Sequence, residues 1–234
     1  MKNLLTQIKV QVQDGIYLKD PETSELGRKI VEHGILLIDE LGFEDFTFKK
    51  LGQQIGSNES SIYRYFENKH KFLLYITSWY WGWMEYLMAF HTNGLPSNEQ
   101  KLRESIHIVT FSTKIDYRHS FINIKCLYRI VTSEFSKSYL TKMVDQENHE
   151  GYFMLYKSVV HRLAVAIEQY CQSYPFAKSL ASTVIEGALH QHFLSRHLPT
   201  ISNVDEQLTT TEFFEDMVFR VLQPTNTFTT YGSR

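Results

Sequence analysis

The chain is short of cysteine, proline and positive charge, and it lacks any long apolar run. Of its 234 residues only Cys126 and Cys171 are cysteines, with no CxxC pair and no metal-type spacing. That excludes the disulfide scaffolds of small secreted domains and the zinc ribbons. Reduced thiols in a cytoplasmic protein are expected, a bridge between the two being the alternative. No stretch is apolar for the roughly 18 residues of a membrane span. The opening MKNLLTQIKVQVQD lacks the apolar core and small-residue cleavage site of a signal peptide. A formal net charge of −2 argues against a general polyanion binder. GxSxG, a phosphate-cradling glycine loop and HExxH are all missing, so no enzyme, cofactor or metal site is expected. Glu186 and His190 stand at i, i+4 and can share a metal in principle, but without a third ligand they read as polar or interface residues.

What is present is a large apolar fraction, 43%, with 14% aromatic residues, enough to bury a core in one or two domains. Residues 7–19 alternate Ile8, Val10 and Val12 with polar neighbours and then reach Asp14-Gly15, which predicts a small β-hairpin or an extended arm. Everything after residue 20 carries helical periods. Asp20-Pro21 marks a helix start, and Leu26, Ile30, Gly34, Leu37 and Leu41 mark one face of the helix that follows. Long helices are expected over about 69–90, 97–111, 117–138, 148–173 and 176–196. Thr209 and Glu212 form a capping box for a last helix ending near Gln223. The expectation is an all-α chain: an arm over 1–20, a three-helix module over 21–68, a helical bundle over 69–223 and a loose tail over 224–234.

The densest local signals lie between Leu51 and Lys69, LGQQIGSNESSIYRYFENK. Thr47 caps a short helix with Phe48, Leu51 and Ile55 inward. Gly56 supplies a left-handed turn, and Asn58 caps the next helix, held inward by Ile62 and Phe66. Asn68 caps the helix after that. Two short helices about a glycine turn place one helix in a DNA major groove. At 100° per residue, Ser60, Ser61, Arg64 and Tyr65 face outward, with Glu59 and Tyr63 on the flanks. Residues 46–72 hold five basic residues against two acidic ones, whereas residues 20–45 hold two against eight. The positive charge therefore sits on the segment expected to meet phosphates.

The pattern Gly42, Thr47-Phe48, Leu51, Gly56, Ile62-Tyr63, Phe66 and Lys69 resembles the N-terminal domain of the TetR (tetracycline-repressor) family over residues 27–73. The resemblance implies a homodimeric transcription factor, usually a repressor released from a palindromic operator by a small-molecule effector. It implies base-edge contacts from Lys49 and from Glu59, Ser60 and Ser61. It implies backbone contacts from Thr47, Tyr63, Tyr65 and Lys69, with Arg64 able to do either. Three positions depart from the family: Gly52 stands where alanine is favoured, Ser57 where an apolar residue is usual, and Glu59 where neutral or basic residues are common.

The helix over 69–90 is crowded with aromatic side chains. An aromatic-lined effector pocket built from Trp79, Trp83, Tyr86, Phe111, Phe121 and Tyr128 is one reading; ordinary core packing is the other. Phe176, Leu180, Val184, Leu189 and Phe193, then Phe213, Phe214, Met217, Val218 and Val221, offer more apolar surface than one core needs. The resemblance implies that these last two long helices pair with their copies in the homodimer. Two functions compete: a ligand-released, sequence-specific DNA-binding regulator, and a helical ligand-binding or protein-interaction module that has lost DNA reading. The acidic first helix and Glu59 favour the second.

Overall fold

A computed structural model describes residues 10–111, 121–205 and 207–223. Among these, ten α-helices and two single 3-10 turns follow one another, with no strand. The helices are α1 (Glu25–Leu41), α2 (Phe48–Ile55), α3 (Glu59–Tyr63), α4 (Lys69–Thr92) and α5 (Asn98–Thr110). They continue with α6 (Ile124–Tyr139), α7 (Val144–His149), α8 (Met154–Tyr170), α9 (Ala177–His197) and α10 (Thr210–Leu222). The all-α expectation holds. The tail over 224–234 and the first nine residues of the arm lie outside the described residues.

Several boundaries differ from the sequence expectation for physical reasons. Asp20-Pro21 starts only a 3-10 turn, Pro21–Thr23, with Asp20 accepting from the Glu22 N–H at 2.8 Å. The long helix begins after it, where the Ser24 hydroxyl accepts from the Gly27 N–H. The expected helix over 148–173 is two helices, because the chain reverses at Glu150-Gly151 between α7 and α8. The expected helix over 117–138 is described from Ile124 onward.

No hairpin forms over residues 10–19. The alternating residues Val10 and Val12, with Ile16, are instead buried beneath the arm. A sheet needs a partner strand, and here α4 takes that place. Gly82 leaves the room: a Cβ on it would lie 2.4 Å from Val10 Cγ1. The arm then ties two regions together. The Leu18 N–H donates to the Tyr65 carbonyl just after α3 (2.8 Å), and the Tyr152 hydroxyl, ahead of α8, donates to the Gly15 carbonyl (3.1 Å).

Helix α4 is the centre of the molecule. Every residue from Phe72 to Met84 is buried, so the helix is apolar all round and walled on all sides. α1 and α6 contact one another across the junction between the N-terminal helices and the bundle, α5, α6 and α8 pack against α4, and α9 packs on α5, α6 and α8.

Candidate nucleic-acid interface

The helix–turn–helix is built from polar caps. Thr47 Oγ1 accepts from the Lys50 N–H (3.2 Å) at the start of α2. Gly56 closes α2 in the left-handed region at φ +66°. A second glycine lets α2 and the turn pack together: a Cβ on Gly52 would lie 2.8 Å from the Ser57 carbonyl oxygen. Gly52 therefore trades helix propensity for a close approach of backbone to backbone. Asn68 Oδ1 accepts from the Lys71 N–H (2.9 Å) and starts α4.

Asn58 does more than cap α3. Its side-chain oxygen receives the Ser61 N–H (2.9 Å), the Ser60 hydroxyl (2.8 Å) and the Ser61 hydroxyl (2.6 Å). Both serine protons are thus turned inward, and the oxygens keep lone pairs toward solvent. Ile62 and Phe66 are fully buried, as their spacing predicts. Ser60, Tyr63 and Arg64 are exposed, and Glu59 and Ser61 are partly so. Tyr63 packs edge-on to Phe48 at 5.1 Å and donates to Glu59 Oε1 at 3.3 Å.

Tyr65 does not face outward. Helix α3 is only five residues long and tightens at its end, with the Tyr65 N–H bonded to the Ile62 carbonyl. That turn rotates Tyr65 away from the phase a continuing helix would give it. Its ring is buried, and its hydroxyl lies 2.8 Å from the Ser24 hydroxyl. The Ser24 bond, outweighing partial burial, and the nearby charges of Lys19 and Arg64 lower its pKa.

The lysines divide into two kinds. Lys69 donates to the Phe43 and Glu44 carbonyls (3.1 and 2.9 Å) and lies 4.8 Å over the Phe43 ring. Lys50 donates to the Asp45 carbonyl (2.8 Å). Both close the loop between α1 and α2. Lys49 and Arg64 are exposed and form no ion pair among the described residues. The sequence did not reveal this division, because loop carbonyls leave no residue-type signal.

Side chains of α6 fix this domain to the bundle. Arg129 on α6 grips Asp39 on α1 through both carboxylate oxygens (2.7 and 2.5 Å). Burial alone would raise the Asp39 carboxyl. The bonds from Arg129 and Cys126, with the charges of Arg129 and Arg196, lower it instead. Lys137 bridges Glu44 and Glu134 at 2.8 Å each. Within the bundle, His70 at the start of α4 meets Glu147 of α7 at 2.8 Å.

The six candidate pocket aromatics do not converge on one cavity. Trp83 and Phe111 line a small one of about 80 Å³ between α4 and α5, with Tyr80, Leu87 and Ile108. Trp79 is wholly buried in the core. Tyr86 stacks on Phe90 at 6.1 Å. Phe121 packs on the core from its edge. Tyr128 lies beside His192 (5.6 Å) and lines a different cavity, between α1, α6 and α9. Because α4 is enclosed on every side, its aromatic residues serve mainly as core.

The apolar surplus of the last helices is also smaller than expected. Leu180, Val184, Leu189, Phe214 and Val218 are buried within the same chain, while Phe176, Phe213 and Val221 stay exposed. Glu186 accepts from the Tyr156 hydroxyl at 2.7 Å. Among the described residues no three His, Cys, Asp or Glu side chains gather into a metal site, and no helix is long and apolar enough to cross a membrane.

Residues 30–76 match the N-terminal domain of the bacterial regulatory proteins of the tetR family. No curated protein matches the chain. Among solved structures it is similar to AibR in complex with isovaleryl coenzyme A and operator DNA, at 16% identity and a TM-score of 0.54, over 85% of this chain and all (100%) of that one. It is similar to the superantigen PfiT at 15% identity and a TM-score of 0.57, over 88% of this chain and 100% of that one. It is also similar to PfmR, a TetR family transcriptional regulator from Thermus thermophilus, at 12% identity and a TM-score of 0.54, over 85% and 99% of the two chains. At such identities the likeness shows a shared fold.

Proposed function

This chain is a tetR-family protein by its N-terminal domain, and from that premise we propose that it is a sequence-specific DNA-binding regulator, a repressor released by a small-molecule effector. The family match and the fold support DNA-binding transcriptional regulation. The observation that carries the finer reading is the outer face of α3: a capped helix held from behind by Ile62 and Phe66, with exposed Ser60, Tyr63 and Arg64 beside exposed Lys49.

The contacts then sort by chemistry. Arg64 and Lys49 are the uncommitted cations, suited to guanine edges or phosphates. Glu59 and the inward-protonated serines present acceptors, which suit the amino groups of cytosine or adenine in the major groove. Thr47 and Tyr63 are phosphate donors at the margins. Lys69 and Tyr65 act through position: one closes the loop before α2, the other anchors the chain after α3.

The described residues divide into an arm, a reading domain over 21–68 and a bundle over 69–223. Two copies pair through α9 and α10, where Phe213 and Val221 stay exposed. Pairing presents two α3 helices to a palindromic duplex. The effector acts in the bundle; AibR, a protein of this fold, is seen in complex with isovaleryl coenzyme A and operator DNA. It weakens DNA binding only to the extent that it prefers one arrangement of the reading domains.

Selection from random duplex DNA by the purified chain tests the proposal. Enrichment of a palindrome whose affinity falls steeply with salt supports it. The absence of any enrichment at low salt returns the chain to the second reading, a helical interaction module, which the acidic α1 and Glu59 favour.

A further inference from the structure

The cavity at the junction of α1, α6 and α9 has a volume of about 760 Å³, within the range of ligand sites. Its walls come from both halves of the chain: Ile38 and Asp39 on α1, one face of α6 from Tyr128 to Glu134, and the end of α9 from His192 to His197.

Most charges in this wall are already committed. Asp39 is held by Arg129, and Glu134 by Lys137 at 2.8 Å. His192 donates its Nε2–H to the Thr110 carbonyl oxygen (2.7 Å), its Nδ1 lies 3.3 Å from the Thr210 hydroxyl, and burial lowers its pKa. Arg196 differs: it is exposed and makes no ion pair among the described residues, its charge reaching Asp39 only at a distance.

Two further hydroxyls have only one another, which leaves one of their two protons without an acceptor. The Tyr128 and Thr132 hydroxyl oxygens are buried in this wall and reach no partner beyond one another. Buried polar atoms are nearly always satisfied in folded proteins, so a pair left to itself marks a place where something else binds. Around them Ile38 and Ile130, both buried, and half-buried Phe193 supply apolar contact.

We propose that this junction cavity binds a small amphiphilic carboxylate, its charge on Arg196, its oxygens within reach of the Tyr128 and Thr132 hydroxyls, and its alkyl body on Ile38, Ile130 and Phe193. One uncommitted guanidinium over an apolar floor suits a single negative charge; a phosphate dianion would call for more cations. A carboxylate on Arg196 also withdraws that charge from Asp39, and so weakens the hold of α1 on α6. The binding stands independently of DNA, whereas its regulatory consequence rests on the reading of α3 given above.

The test uses the full chain with octanoate and, as the neutral probe of equal length, octanamide, each titrated calorimetrically. Octanoate is expected to bind once per chain and octanamide about tenfold more weakly or worse, the usual size of a charge-assisted bond. Arg196→Gln is expected to weaken octanoate about tenfold while leaving the melting temperature of the unliganded protein unchanged. Thr132→Val is expected to weaken it less. Hydrogen exchange at the C-terminal turn of α1 should rise when octanoate binds. Octanoate that binds and depends on Arg196, with α1 exchange unmoved, upholds the site and removes only its regulatory consequence. Equal binding of the two probes, no binding at all, or Arg196→Gln indistinguishable from wild type overturns the proposal. So does loss of octanoate binding in Phe111→Ala rather than Arg196→Gln, which would move the site to the α4–α5 cavity. An Arg196→Gln protein that changes oligomeric state instead, with no octanoate bound by either form, assigns the cavity to a contact with a second copy and also overturns it.

Discussion

The N-terminal domain and the bundle are held together by different means. α1 to α4 each begin on a polar cap, Ser24, Thr47, Asn58 and Asn68. In the bundle α5, α6 and α10 are capped too, by Ser97, Asn123 and Thr209, but α7, α8 and α9 begin at Met143, Phe153 and Phe176 with no side-chain cap. Helices of eight and five residues, α2 and α3, cannot persist alone. They need each terminal N–H satisfied and their loop closed by Lys50 and Lys69. The uncapped α8 and α9, of 17 and 21 residues, draw their stability from buried area instead. The arrangement leaves the outer face of α3 free of packing duties, as a surface that meets another molecule must be.

The strongest way to sharpen this contrast is Trp79→Ala. Trp79 is fully buried in the bundle core, and its truncation should destabilise the chain by about 3–5 kcal/mol in urea denaturation. A loss below about 1 kcal/mol would instead mark Trp79 as lining a space able to accept a ligand.

Next is Gly52→Ala. Helix propensity alone favours alanine by about 1 kcal/mol. The Ser57 carbonyl, 2.8 Å from the added methyl, should reverse that sign and cost about 1–3 kcal/mol, the usual penalty of overpacking. Stabilisation in a thermal melt would show that the turn yields and that the close approach is not required.

Asn58→Ala should cost about 1 kcal/mol, the ordinary value of a cap. It also releases the Ser60 and Ser61 protons, so a shift in the selected duplex under those residues is expected with it. An unchanged preference would separate the cap from the reading surface.

The smallest effect concerns pH. The Asp39 carboxyl is lowered in the folded chain. The stability it contributes is therefore present above the usual aspartate range, about 3.9, and is lost as pH falls through the lower folded value. Asp39→Asn should flatten that acid limb and leave the alkaline side unaltered, as acid titration followed by circular dichroism would record. An unaltered acid limb would mean that the α1–α6 grip adds little to folding.

The difference between the two regions also explains what was legible in the sequence. The caps, the glycine turn and the inward pair Ile62 and Phe66 are local, and residue type announces each of them. Tyr65 was misplaced because a fixed 100° step assumes that α3 continues, whereas it tightens after Tyr63. The lock made by Lys69 depends on carbonyls of Phe43 and Glu44, far back along the chain and silent in side-chain chemistry. The alternation of Val10 and Val12 announced a hairpin or an extended arm, but not that a helix notched at Gly82 would be the partner. The proposed pocket of six aromatics failed to assemble because composition alone does not tell a lining residue from a core residue on a helix enclosed all round.

The most direct measurement is salt-dependent titration of the selected duplex with wild type, with Lys49→Ala/Arg64→Ala, and with Lys50→Ala as a loop-lysine control. If the exposed face of α3 and the start of α2 read DNA, the double variant loses affinity. Its log–log salt slope should fall by about one for each phosphate contact removed, while Lys50→Ala keeps the wild-type slope. Equal slopes in all three proteins, or binding indifferent to salt, would contradict the account.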